Sequence, residues 1–392
     1  MNQFALSNRS FLIYLIGSTV SLHGLWIYRV ALGWFTWELT GSEFWVGIVA
    51  FTQFAPAVLF GPVFGVLADR VDRRKASVVI NSLSALNMLL LGVLAWLGLV
   101  DIIVLTIQSL VQGALDGAHT PVRMTLVPNL VEKTQLQSAI ASASISFNVS
   151  RLVGPAIAGL IIATSGVSTA FAINGISYLA IIAAVAVIEL RPTAARSKGT
   201  GDVWAELLDG VRYAITHKTI RGLLITVAVA SIFGRGALEM MPAFADAIYE
   251  RGAAGLATLT AAIGVGAIMS GVVLARNTAW LNSSVVKLSV MVAGILIAIF
   301  GANSEFWVAV PVVVSLGVIL SLCGVGSQIL IQTLVEEEVR GRVSSLWGMI
   351  AFGGTAFGSL IVGWASAAFG LQTTVVVAGI FCAAVASLVP VR

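Results

Sequence analysis

Uncharged apolar runs of helical length alternate along the chain with short polar breaks. This rhythm predicts twelve spans, at about 11–37, 44–68, 76–97, 102–124, 137–163, 168–189, 221–245, 255–275, 285–301, 306–332, 344–366 and 371–390. The runs cluster near the roughly 20 residues that a helix rising ~1.5 Å per residue needs to cross about 30 Å of hydrocarbon. Strand-length alternation is absent, which argues against a barrel. Met1 to Ser10 carries one base, Arg9, and the apolar run that follows is too long for a cleavable signal core. The first span is therefore expected to be its own insertion signal.

Composition gives the pattern its solvent. Of 392 residues, 58% are hydrophobic and 10% charged, against about 25% charged in soluble domains. The expectation is an all-α, polytopic membrane protein embedded in a lipid bilayer. A formal net charge of +4 raises the question of a nucleic-acid partner, but the bases are scattered among loops rather than gathered on one domain, so none is expected. Eighteen of the 22 Lys and Arg fall at the termini and in alternate loops, among them Arg70, Arg73, Arg74, Lys75, Arg191, Arg340 and Arg342. The opposite loops hold Arg251 with acids such as Glu43, Asp101, Glu250 and Glu305. The positive-inside rule then places both termini in the cytoplasm, with the chain in the inner (plasma) membrane. Arg29, Arg151 and Arg235 are left inside the bilayer. Cys323 and Cys382 fall in spans, where a free cysteine is an apolar filler, so neither a disulfide, a metal site nor a cofactor is expected.

Arg191 to Arg221 is the one long connection. It divides the chain into an N-terminal six-helix bundle (1–190), a cytoplasmic linker (191–220) and a C-terminal six-helix bundle (221–392). In the linker, Val203, Trp204, Leu207, Leu208, Val211 and Ile215 stand at helical spacing against Asp202, Glu206, Asp209 and Arg212, as in a helix lying in the membrane interface. The two halves also repeat. Gly154, Gly159, Gly166, Thr169, Gly175 and Ile176 recur 204 positions later as Gly358, Gly363, Gly370, Thr373, Gly379 and Ile380. Two parallel repeats point to alternating access.

The charged break between the second and third runs reads Gly65-Val66-Leu67-Ala68-Asp69-Arg70-Val71-Asp72-Arg73-Arg74-Lys75. It resembles the loop signature of the major facilitator superfamily, Gly-x-Leu-x-Asp-Arg-x-Gly-Arg-Arg/Lys, with Asp72 in place of the second glycine. The Asp-Arg-x-Asp-Arg-Arg form is similar to the branch containing drug, macrolide and siderophore exporters. Arg151-Leu152-Val153-Gly154-Pro155, followed by Gly159, resembles the Gly-Pro motif of the family's antiporters. Glu336-Glu337-Glu338-Val339-Arg340-Gly341-Arg342 also looks like this branch. The resemblance implies twelve transmembrane helices in two pseudo-symmetric six-helix bundles, a monomer moving a small-molecule substrate, and a proton as coupling ion. It further implies a conformational latch of Gly65, Asp69, Arg70, Arg73 and Arg74, in which Asp69 meets the start of the eleventh span. Topology alone is the competing explanation of that loop. One departure stands out: the common Arg-x-x-Gln-Gly of proton antiporters has Ser109 ahead of Gln112-Gly113 here.

Charges inside a membrane cost at least ~2.5 kcal/mol each on insertion scales and are functional by default. On the fourth span Gln108, Gln112, Asp116, His119 and Arg123 form one helical stripe, expected to line an aqueous path with Asp116 carrying a proton or cation. The alternative is a structural ion pair near the cytoplasmic end. Arg235 and Glu239 stand four apart on the seventh span, either as a permanent pair or as one that substrate or proton breaks. Arg29 has no acid within a turn and is expected to meet an acid or an anionic ligand across the cavity. Arg151 before Gly154-Pro155 reads as packing or as a hinge. His23 is either a proton shuttle or a histidine that bonds a neighbour.

Two transport functions compete: proton-coupled efflux of amphipathic organic molecules, or an importer or uniporter of a small, possibly anionic metabolite. A non-transporting receptor or assembly protein is a third class. No Gly-Lys-Ser/Thr phosphate loop, HExxH pair or GxSxG elbow occurs, which argues against an enzyme.

Overall fold

The computed structural model describes residues 4–61, 63, 64, 71–189 and 203–390, which are helical nearly throughout and contain no strand. Gly65, Asp69 and Arg70 of the expected latch, and the linker up to 202, lie outside the described residues.

The first four spans are Arg9–Thr40, Glu43–Leu59, Arg73–Trp96 and Ile102–Leu126. The fifth and sixth form one stretch, Leu136–Val187, broken at Gly166 (φ 77°, ψ 172°). The seventh is Lys218–Ile248. Gly252–Arg276, Ser283–Ala302, Phe306–Leu334, Glu337–Phe369 and Leu371–Leu388 complete the set. Among the described residues, nine helices are long and apolar enough to cross a membrane. The break at Gly166, the shorter Glu43–Leu59 and the more polar fourth span bring these to the twelve that the sequence predicts.

Polar punctuation sets the helix starts. Asp72, Asp101 and Asn282 each accept a hydrogen bond from the backbone N–H three residues on, at 2.8, 2.8 and 3.0 Å, satisfying donors that a first helical turn leaves open. The repeat extends to backbone conformation. Gly166 and Gly370, 204 positions apart, both adopt positive φ (77° and 89°) at the turns joining the fifth span to the sixth and the eleventh to the twelfth. That region of φ and ψ is open essentially to glycine alone.

Leu83, Leu86, Leu90 and Val93 lie exposed along one side of the third span, as expected of a face turned to lipid. Close backbone approach binds the helices inside. A Cβ at Gly294 would lie 2.6 Å from the Gly379 carbonyl oxygen, and one at Gly379 would lie 2.5 Å from that of Gly294. Small residues allow such contact in a medium where hydrophobicity gives helices little reason to associate.

By packing, the chain falls into two units, Met1–Phe35 with Pro56–Thr200, and Thr36–Ala55 with Gly201–Arg392. Within the second unit, Trp37 Nε1 donates to Asp246 Oδ2 at 2.9 Å. Gly47 lies against Gly363 and the Ser359 carbonyl, and Phe51 and Phe54 pair with Phe357 and Phe352. Helix Val203–Thr216 packs near the start of the eleventh span, where Arg342 pairs with Asp209 at 3.4 Å. Such an exposed pair contributes at most about 1 kcal/mol.

Candidate functional site

In the first unit the polar stripe of the fourth span is built into a hydrogen-bonded cluster. Gln112 is fully buried, and its Nε2 donates to Asp116 Oδ1 and to the Tyr178 hydroxyl, both at 3.0 Å. Asn87 of the third span donates to Gln112 Oε1 and to the Gln108 carbonyl, both at 3.3 Å. Ser84 and Asn174 lie near the Tyr178 hydroxyl on the sixth span. Lower on the stripe, His119 Nε2 lies 3.2 Å from Asn81 Nδ2, which donates to the Ser77 carbonyl at 2.7 Å. Gln108 and Gln112 are therefore turned into protein, while Asp116 and His119 keep partial exposure. The fixed neighbours orient Asp116, and Arg29 and Arg123 lie within electrostatic reach of it.

The first and fifth spans meet along a second polar seam. Thr19 Oγ1 lies 2.6 Å from Ser146 Oγ, and His23 Nδ1 lies 2.8 Å from the Thr19 carbonyl and 3.0 Å from Ser150 Oγ. One turn further, Gly154 faces Trp26, where an added Cβ would come within 2.5 Å of the Trp26 Cβ. The guanidinium carbons of Arg29 and Arg151 stand 4.9 and 5.6 Å from the centroid of the Trp26 ring. Phe147 meets the same indole edge-on at 5.8 Å. Gly154, Pro155 and Gly159 are buried, and the helix runs through Pro155 without a break, the interruption coming only at Gly166.

The second unit carries a counterpart. Arg235 closes a π-helical turn, Ala230–Arg235, a local widening frequent at functional sites. Cys323 and Glu239 lie within electrostatic reach of it, and its Nη2 would lie 2.9 Å from a Cβ at Gly324. Trp347 Nε1 donates to Ser327 Oγ at 2.9 Å beside it. Gly358 packs on the backbone of Ile232 as Gly154 packs on Trp26. Trp26 and Arg29 precede Ile232 and Arg235 by 206 positions each, so the two arginines hold equivalent places in the repeats. At the helix ends, Arg74 donates to the Ile188 carbonyl and Arg340 Nε to the Val335 carbonyl at 3.3 Å.

The stripe and the Arg235–Glu239 spacing were visible in the chain. Periodicity does not point to its neighbours on other spans, Asn81, Asn87, Asn174 and Tyr178. The available signal was three asparagines inside otherwise apolar runs, each of which needs a hydrogen-bond partner. The π turn had a weaker one, the cluster Gly234, Gly236 and Pro242.

Solved transporters share this architecture. The nucleoside transporter NupG superposes with a TM-score of 0.72 at 11% identity, covering 97% of this chain and 98% of its own. A bacterial homologue of the human lysosomal transporter Spinster, in an inward-facing and occupied state, gives 0.75 at 14% identity, with 96% and 94% covered. The fold is that of a major facilitator transporter, two pseudo-symmetric six-helix bundles in the membrane. Residues 3–391 match the model of the transmembrane secretion effector family, and the chain belongs to that branch of the superfamily. Similar proteins include the staphyloferrin A transporter of Staphylococcus aureus, 25% identical over 95% of this chain and 91% of its own. The multidrug efflux pump Tap of Mycolicibacterium fortuitum is 24% identical over 93% and 90%. Macrolide efflux protein A of Streptococcus pyogenes is 22% identical over 85% and 84%. The protein is thus a multi-pass transporter of small molecules, not an enzyme.

Proposed function

We propose that the protein exports amphipathic small organic molecules from the cytoplasm in exchange for protons, by alternating access of the bundles 1–190 and 221–392. It acts as a monomer in the inner membrane with both termini cytoplasmic. The observation that supports proton coupling is Asp116. The first span as far as Phe35 and the third, fifth and sixth spans contain no acid, and the fourth contains Asp116 alone. Gln112 fixes one of its oxygens at 3.0 Å. The relatives, a staphyloferrin A transporter, a multidrug efflux pump and a macrolide efflux protein, favour this cargo class.

The sign of coupling follows from charge. A cation that pairs with Asp116 competes with the proton, so the two exchange. An anion that takes Arg29 is favoured when Asp116 is neutral, so it moves with the proton. Uptake of an anionic metabolite is the second reading, and the convergence of Arg29 and Arg151 on Trp26 supports it.

The test is substrate-stimulated proton movement in proteoliposomes, scanned over dyes, macrolides, siderophores and organic acids. Export by exchange requires at least one cargo to drive protons the opposite way. Counterflow with no proton movement for any cargo would contradict it.

A further inference from the structure

We infer that Asn81 is a positioning residue: its side-chain amide holds His119 as the uncharged Nδ1–H tautomer, and so leaves Asp116 as the one group of the fourth-span stripe that exchanges a proton during transport. The consequence for transport rests on the proton-coupling reading above; the state of His119 does not.

The hydrogen bonds of Asn81 decide which ring nitrogen carries the proton. Asn81 lies on the third span, 2% exposed, and an amide can stand with its oxygen or its nitrogen towards a neighbour. The Ser77 carbonyl settles the choice. It lies 2.7 Å from Asn81 Nδ2, and a carbonyl only accepts, so the atom facing it is the amide nitrogen. The same nitrogen stands 3.2 Å from His119 Nε2, with the Ser77 hydroxyl at 3.3 Å. An amide nitrogen donates and does not accept. A proton on Nε2 would set two donors against each other, so Nε2 is the acceptor and the ring hydrogen is on Nδ1.

The other two histidines of the chain are arranged differently. His23 and His217 each turn Nδ1 to the carbonyl four residues earlier, of Thr19 at 2.8 Å and of Tyr213 at 2.9 Å. Either ring can add a proton at Nε2 and keep that bond, whereas His119 would lose its bond to Asn81. A second proton would also bring His119 into repulsion with Arg123, one turn along the same helix and within electrostatic reach. Asp116 is the remaining charged neighbour on that face, three residues earlier. An imidazolium there would pair with the carboxylate and keep it ionised, so a proton reaching this site would stop on the histidine. With His119 uncharged, the proton goes to Asp116.

Nitrogen-15 NMR of the full-length protein labelled at histidine separates the two uncharged tautomers and the imidazolium, with His119→Gln assigning the signal. Native His119 should be the Nδ1–H form throughout the range from about pH 5 to 8. In Asn81→Leu that single form should give way to a mixture of tautomers, with an imidazolium that grows as the pH falls. In proteoliposomes the same variant should move the half-maximal point of proton-driven transport by about one unit towards acid, because a cation opposite a carboxylate favours its charged form. A purely structural loss would lower the rate alike at every pH. An Nε2–H or charged His119 in the native protein at neutral pH would overturn the inference, and so would a His119 spectrum unchanged in Asn81→Leu. A changed spectrum with an unmoved pH profile would overturn its transport half. If Asn81→Leu does not fold, the tautomer in the native protein decides alone. The Nδ1–H form together with no proton movement for any cargo would instead refute proton coupling and leave the hold of Asn81 on His119 intact.

Discussion

Gln112 holds together the one acid in the spans of the first unit. It is fully buried, it donates to Asp116 and Tyr178, and it accepts from Asn87. Gln112→Leu keeps the volume and removes three hydrogen bonds, leaving buried groups unsatisfied at about 1–3 kcal/mol. Its thermal midpoint in detergent should fall and proton-driven transport should be lost; an unchanged midpoint would mean that the cluster is not formed as described. His23 shows how far single residues can be read from the chain. Two readings were open, shuttle or bonded neighbour, and its ring meets the Thr19 carbonyl and Ser150. Which residue on another span answers a polar group cannot be read from one helix at a time. Periodicity gives the face of the stripe, not what the face meets, so Tyr178 and Asn87 stayed hidden while Asp116 and Gln112 stood out.

The helices were legible because charges and capping side chains end nearly every apolar run, as at Asp72, Asp101 and Asn282. The repeat was legible because glycine is required where backbones touch or turn sharply. Gly166 and Gly370 adopt φ and ψ that disfavour other residues, and Gly166→Ala and Gly370→Ala should each cost about 1–3 kcal/mol. Chemical-unfolding or thermal-shift measurements check this, and equal losses would support equivalence of the two turns. Gly358→Ala should do more harm than Gly370→Ala, because its Cβ would strike the Ile232 carbonyl and force the seventh and eleventh spans apart. The π turn at Ala230–Arg235 was not legible. A single extra residue in a turn leaves no periodic mark, and its register emerges only when the helix packs.

For the whole molecule, the distribution of bases predicts one orientation. Lys218 and Ser304 are both exposed and lie at opposite ends of the second set of spans, and the native thiols Cys323 and Cys382 are buried. In intact cells, an impermeant thiol reagent should label Ser304→Cys and spare Lys218→Cys. The reverse pattern would invert the topology and with it the direction of export. Length, hydropathy and an internal repeat fixed the architecture in advance. The grouping of Thr36–Ala55 with the second unit was outside their reach, since it rests on contacts such as Trp37 with Asp246 that are far apart in sequence.

The central claim is that Asp116 carries the coupling proton. Its most direct test measures uphill transport under a proton gradient and counterflow without one, on the same proteoliposomes containing native protein or Asp116→Asn. The variant should lose uphill transport and keep counterflow, because the neutral amide preserves the Gln112 contact but cannot exchange a proton. Uphill transport at the native rate in Asp116→Asn would contradict it.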